Sequence, residues 1–339
     1  MAHHRKTRKR LLIGLAIAVA VWLVALATII LVGNRLETGG QQNSYGSIEG
    51  RFESSLQVEY NGSTYGYREN SISTLLIIGI DKEDVTSGSG YRSGGQADFL
   101  MLAVIDRTNR TVTPVQIDRD TITWIRIYGS FGGITGYRNT QLCLAQAFGN
   151  TPTVNCENTA WAVSNLLLGI PIDDYIAIDM SAISVLNDAL GGVTVTVEDD
   201  LTTIDPSLYQ GATVTLKGSL AERYVRARMY VSDGTNASRM RRQRGYLTAM
   251  QQVLTEKLSA DSDFAGELYD LLGTDLVTDM TKATLINKAY QINRYATQTT
   301  EVLTGVYSIG SDGFREFAPD EAAMKELILR LCFTPVTRQ

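Results

Sequence analysis

Two unbroken apolar runs organise the chain. STLLIIGID (73–81) and ADFLMLAVID (97–106) each have the length and composition of a strand buried on both faces. A Gly/Ser loop (82–96) separates them, and DRTNR (106–110) turns the chain into TVTPVQIDRDT (111–121), whose Thr, Val and Ile content predicts a hairpin partner. A Gly-rich loop (129–136) and a helical stretch ending at FGN follow. ENTAWAVSNLLLGI (157–170) then shows helical periodicity, with Gly169 as its stop. DYIAID (174–179) predicts a strand, 181–190 a helix closed by two glycines, VTVTV (193–197) a strand, and 199–216 an irregular excursion. Ser219 and Glu222 have the spacing of a capping box, and 238–258 reads as a long helix. Residues 260–335 read as further helices with a short terminal strand-like patch. This alternation predicts an α/β domain, a central mixed sheet flanked by helices.

The N-terminus follows a different pattern. LLIGLAIAVAVWLVALATIILV (11–32) holds 22 residues without a charge, enough to span a bilayer as a helix, and has no polar face. Five Lys/Arg lie before it in residues 1–10, and no A-x-A-like cleavage pattern follows. An uncleaved transmembrane signal-anchor is expected, its basic tail cytoplasmic and the rest of the chain extracellular. Polar, Gly-rich residues 33–70 read as a tether, 71–258 as the main domain and 259–339 as its helical C-terminal extension.

That topology alters the charge picture. Past the anchor the chain carries 26 basic and 36 acidic residues, so nucleic acid is not an expected partner. Against this acidic body stands RYVRARMYVSDGTNASRMRRQR (223–244), with seven arginines and no lysine. Guanidinium forks match phosphate oxygens bidentately. Arg239 and Arg242 are one helical turn apart near a helix start, where free N–H groups also favour an anion. Arg226 and Arg228 end the preceding element. Arg223, Arg241 and Arg244 are expected on a solvated face paired with carboxylates. A second group lies at strand ends: Asp81 closes the first strand, Asp98 opens the second, and Arg119 and Asp120 close the third. Ligands of open α/β sheets bind beyond such ends, and two carboxylates with phosphate oxygens suit Mg2+.

Several chemistries are excluded. The only histidines are His3 and His4 in the basic tail, so the domain has no histidine base and no H-E-x-x-H zinc site. There is no Walker A motif, and GSGYRSG (88–94) has its glycines out of place for a dinucleotide fingerprint. Three cysteines, Cys143, Cys156 and Cys332, leave two readings: a Cys143–Cys156 disulfide, expected in an oxidising compartment, or three buried small side chains.

In order along the chain, LLIIGID, ADFLMLAVIDRTNRTVTPVQIDRDT, AISVLNDALGGVTVTV, LKGSLAERYVRAR and SRMRRQR resemble the LytR-CpsA-Psr family of cell-wall assembly proteins over about residues 73–258. The resemblance implies a magnesium-dependent phosphotransferase. Its substrates would be a polyprenyl-pyrophosphate-linked glycopolymer and a peptidoglycan hydroxyl, joined through a phosphodiester, with the lipid tail held between sheet and helices. It implies Asp81 and Asp98 as metal ligands. It places Arg119, Arg226, Arg228, Arg239, Arg242 and Gln243 on the pyrophosphate, and Arg119, Asp120 and Arg239 at the reaction centre. The family's R-S-D is Gln96-Ala97-Asp98 here, so Arg92 is expected to stand in for the absent arginine. The acidic residue three before the R-x-x-R-Q arginine is Asn236, with Asp233 as its expected replacement. With no histidine, either a carboxylate takes the acceptor proton or the metal acidifies the hydroxyl. The competing reading is a non-catalytic anchored module that binds an anionic polymer or lipid pyrophosphate as scaffold or sensor.

Overall fold

The computed structural model describes residues 57–81, 94–180, 182–228 and 231–336. The basic tail, the apolar span 11–32, most of the tether and Arg92 lie outside the described residues. Among the described residues no helix is long and apolar enough to cross a membrane.

The chain opens with a hairpin of β1 (Gln57–Tyr60) and β2 (Ser63–Tyr67). The apolar runs then form the antiparallel centre: β3 (Ile72–Ile80), β4 (Ala97–Asp106) and β5 (Thr111–Ile117). A second hairpin, β6 (Ile122–Tyr128) and β7 (Ile134–Gln141), leads through a 3-10 turn to α1 (Pro152–Leu166). β8 (Asp174–Asp179) returns parallel to β3. There follow α2 (Ala182–Ala189), the hairpin β9 (Val193–Thr196) and β10 (Thr213–Leu216), α3 (Ser219–Arg226) and the long α4 (Asn236–Ala260). The C-terminal part comprises α5 (Phe264–Leu272), β11 (Leu276–Thr278), α6 (Lys282–Asn293), β12 (Ala296–Thr297) and β13 (Glu301–Val302). It ends with the hairpin β14 (Gly305–Ile309) and β15 (Arg315–Pro319), α7 (Glu321–Cys332) and β16 (Phe333–Pro335).

The central sheet has the order β11-β8-β3-β4-β5-β12, with β13 also on β5. Both of its faces are covered, which is why β3 and β4 read as continuous apolar runs without alternation. Leu76, Ile78 and Ile80 join Ala162, Val163 and Leu166 of α1 in one core. Leu75 packs on the other face with Met280, beside Ile77, Leu285 and Ile292. Nearer the edge, that second face is roofed by α2, α3 and α4.

Several expectations change. The helix expected over 157–170 starts at Pro152, where Thr151 accepts the Val154 amide at 3.2 Å, and lies on the face away from α3 and α4. The stretch read as a tether includes the β1–β2 hairpin, to which β16 adds a third strand. Residues 259–339 are not simply helical, because β11, β12 and β13 extend the central sheet. The capping box does not form: Gly218 precedes α3, and Glu222 pairs with Arg226 instead. No disulfide joins Cys143 and Cys156. Both are free and buried, Cys143 turned toward Arg119 at 3.2 Å and Cys156 toward Gln146 at 3.6 Å.

Candidate active site

Strand direction gathers the candidate residues at one edge. β3 and β5 end there and antiparallel β4 begins there. A β-bulge refines the placement. Gly79 pairs with Phe99 and Ile80 with Ala97, so Asp98 is the unpaired extra residue. Such a bulge re-aims a side chain at a strand end. Asp98 sits between two guanidinium groups: Arg119 Nη1 bonds its Oδ1, and Arg239 Nη1 reaches its Oδ2 at 3.2 Å. Arg119 also donates to Gln96 Oε1 at 2.5 Å, and its Nε stands 3.3 Å from Asp120 Oδ1. Asp81 lies one strand over, where its amide bonds the Gln96 carbonyl at 3.0 Å and its carboxylate pairs with Arg226.

Arg239 is the centre of the cluster and is only 5% exposed. Burial, then the charges of Arg119 and Arg228, lower its guanidinium pKa to about 10. Crowded cations of this kind favour an anion among them. Arg228 Nε and Asp120 Oδ2 are buried and hydrogen-bond no protein atom. Burial, reinforced by Asp118, raises the Asp120 carboxyl above the usual carboxylate range. Sequence reasoning thus placed Asp81, Asp98, Arg119, Asp120, Arg226, Arg228 and Arg239 on what the structure makes one edge.

Arg242 differs. One helical turn from Arg239, it points into the α3–α4 contact rather than the opening. Its Nε donates to the Tyr224 carbonyl at 2.7 Å, its Nη2 to the Ala227 carbonyl, and its guanidinium lies 5.9 Å from the Tyr224 ring centre. It clamps the end of α3. Gln243 also turns inward, reaching the Val225 carbonyl at 3.4 Å and Gln116 at 3.5 Å. Asp233 caps its own turn through the Thr235 amide at 2.9 Å and does not replace an acid at 236. Arg223 and Arg241 pair with surface carboxylates, but Arg244 donates to Gln116 Oε1 at 2.7 Å.

The roles of three residues escaped the sequence reading. Asp118 begins the Asp118–Thr121 turn, its Oδ1 accepting the Asp120 amide and Asn236 Nδ2, each at 2.8 Å. Gln96, exposed, braces Arg119. Tyr307, from β14, reaches Asp118 Oδ2. For Asp118 the sequence signal was the first acid of IDRD, and for Gln96 its place in the altered R-S-D.

Beside the charged edge lies an apolar cavity of about 150 Å³, lined by Gly79, Phe99, Met180, Val225 and Tyr246 among others. A Cβ on Gly79 would lie 2.7 Å from Met180 Sδ and 2.9 Å from Phe99 Cβ, so only glycine lets these two side chains pack this closely on the strand. Gln243 borders the cavity, linking it to the arginine segment.

The oxygen donors Asp81, Asp98 and Gln96 suit a hard cation chemically. Among the described residues no three His, Cys, Asp or Glu side chains converge, so the described part of the site offers two carboxylates to a cation, which phosphate oxygens would complete.

Known proteins share this architecture. A protein of Streptococcus agalactiae, gbs0355, superposes with a TM-score of 0.62 at 21% identity, over 77% of this chain and 88% of that one. A structure described as TagT bound to LI-WTA superposes at 0.59 with 22% identity, over 78% and 90%. These likenesses show the fold. In sequence, the chain is 28% identical over 240 residues to the polyisoprenyl-teichoic acid–peptidoglycan teichoic acid transferase TagU of Oceanobacillus iheyensis, covering 69% of this chain and 68% of that protein. The LytR_cpsA_psr family profile matches residues 38–330, which takes in every residue of the charged edge, and the chain belongs to that family.

Proposed function

We propose that this protein transfers a glycopolymer from a polyprenyl-pyrophosphate carrier to a peptidoglycan hydroxyl through a phosphodiester. The observation that carries this reading is the seat of Asp98 between Arg119 and Arg239, beside an apolar cavity. A diphosphate displaces the carboxylate from the two guanidinium forks, and its lipid enters the adjoining apolar cavity. Arg119, Arg228 and Arg239 face the charge that grows on the leaving polyprenyl phosphate. Asp120, its carboxyl pKa raised by burial, is the carboxylate placed to take the acceptor proton. Magnesium, held by Asp81 and Asp98, would neutralise diphosphate oxygens. The apolar span 11–32 anchors the chain in the membrane with the domain outside, where both substrates meet it. A relative named as a teichoic acid transferase supports the same substrate class.

The test uses the purified full-length chain with a polyprenyl-pyrophosphate oligosaccharide, peptidoglycan and magnesium, and measures covalently attached glycan. The wild type should attach it, and Arg119→Ala and Arg239→Ala should each abolish attachment while remaining folded. Wild-type turnover by both variants rejects the site. Tight carrier binding without attachment favours the scaffold or sensor reading.

A further inference from the structure

Behind Arg239 runs a line of hydrogen bonds, buried at Asn236 and Asp118, that ends at Tyr307 of the C-terminal hairpin. Arg239 donates from Nη2 and Nε to Asn236 Oδ1, at 2.7 and 3.1 Å. Asn236 Nδ2 donates to Asp118 Oδ1 at 2.8 Å, and the Tyr307 hydroxyl donates to Asp118 Oδ2. Asn236 is 1% exposed and Asp118 3%. An amide has one accepting end and one donating end. A carboxylate behind Asn236 therefore selects the flip that points Oδ1 at the guanidinium. That flip occupies Nε and Nη2 of Arg239 and leaves Nη1 directed at Asp98.

The hairpin is fitted to this role. The Phe317 amide donates to the Asp120 carbonyl at 2.8 Å, pinning β15 to the turn that carries Arg119. The Tyr307 ring sits 4.9 Å from Phe317 and under the Arg315 guanidinium at 5.5 Å. The ring is thus held from two sides, with its hydroxyl on Asp118.

We propose that Asp118, Asn236 and Tyr307 are positioning residues that fix the orientation of the Arg239 guanidinium. The negative charge that steadies Arg239 from behind comes from the β5 turn through an amide, and the C-terminal hairpin holds that charge in place. The inference rests on the reading of Arg239 as a diphosphate contact, but its test has a readout that needs no substrate.

The test compares Tyr307→Phe, Asp118→Asn and the transposed pair Asp118→Asn/Asn236→Asp in the full-length chain. One readout is the side-chain Nε–H resonance of Arg239 in 15N spectra; the other is affinity for geranyl diphosphate by calorimetry. Slow exchange of the Nε–H is expected in the wild type. Asp118→Asn should speed it about tenfold or more and weaken diphosphate binding by a similar factor, the scale expected when a buried bond to a charged group is lost. Tyr307→Phe, which keeps the ring, should give about threefold in both, the effect of one hydroxyl bond. The transposed pair puts an acid directly behind Arg239 and should recover most of both losses, falling short because the Asp120 amide loses its acceptor. A general folding defect does not recover on transposition. Unchanged exchange in both single variants, or a transposed pair no better than Asp118→Asn, overturns the proposal. A wild type with a protected Nε–H that binds no diphosphate overturns the functional reading and leaves the positioning line standing.

Discussion

Arg242→Met separates a structural arginine from a ligand-contacting one. Methionine keeps most of the apolar stem in place but removes the fork that bonds the Tyr224 and Ala227 carbonyls. Each bond from a charged donor contributes ~1.5–3 kcal/mol, so the pair contributes ~3–6 kcal/mol. Removing a buried guanidinium, whose pKa burial lowers, returns part of this and leaves a net cost of ~2–4 kcal/mol. For a domain of this size each kcal/mol shifts Tm by about 2–4 °C, so a fall of about 5–15 °C is expected. Calorimetric unfolding of the full-length chain, without substrate, reads it directly. Because α3 loses its anchor, diphosphate binding should also weaken, through Arg226 and Arg228. A variant with wild-type Tm and weakened diphosphate binding would refute the clamp and restore Arg242 to the ligand.

Two further outcomes follow from buried groups. The folded-state pKa of Asp120 is raised, first by burial and then by Asp118. Its favourable contribution is therefore complete below the unfolded value of about 3.9 and is lost as pH rises through the folded value. Asp120→Asn should be more thermostable than the wild type at about pH 7 and should match it near about pH 3, as melting curves across pH will show; a constant gap would contradict this. Thiol titration in denaturant, without reductant, should find all three cysteines free, and a count of one would restore the disulfide.

The parts of the fold legible in sequence were those fixed by local pattern. β3 and β4 could be read because burial on both faces leaves no polar position in the run. The start of α4 could be read because helix formers and arginines follow a polar turn. The C-terminal strands could not. β12 and β13 have two residues each, and their partner β5 lies far back in the chain, so no local period marks them. Helical spacing placed Arg239 and Arg242 on a common face, yet a shift across that face decides between the charged edge and the α3 carbonyls. The bulge that aims Asp98 depends on register between strands. Asp118 reaches Arg239 only through Asn236, and is itself held by Tyr307; these arrive from a distant helix and hairpin, so this role was hidden until the chain was folded.

The closure of β16 on β2 has a consequence for how the molecule is made. A ribosome delivers β16 long after β2, so the first hairpin waits with an open edge while the sheet between them is made. Contacts this remote slow folding and prolong exposure of an unpaired strand. A polypeptide cut short before Phe333 would keep the Arg119 and Arg239 segments but lack the strand that completes the sheet over Tyr67. Such products would be marked by their frayed first hairpin, and a tag fused directly after Pro335 would load the same seam.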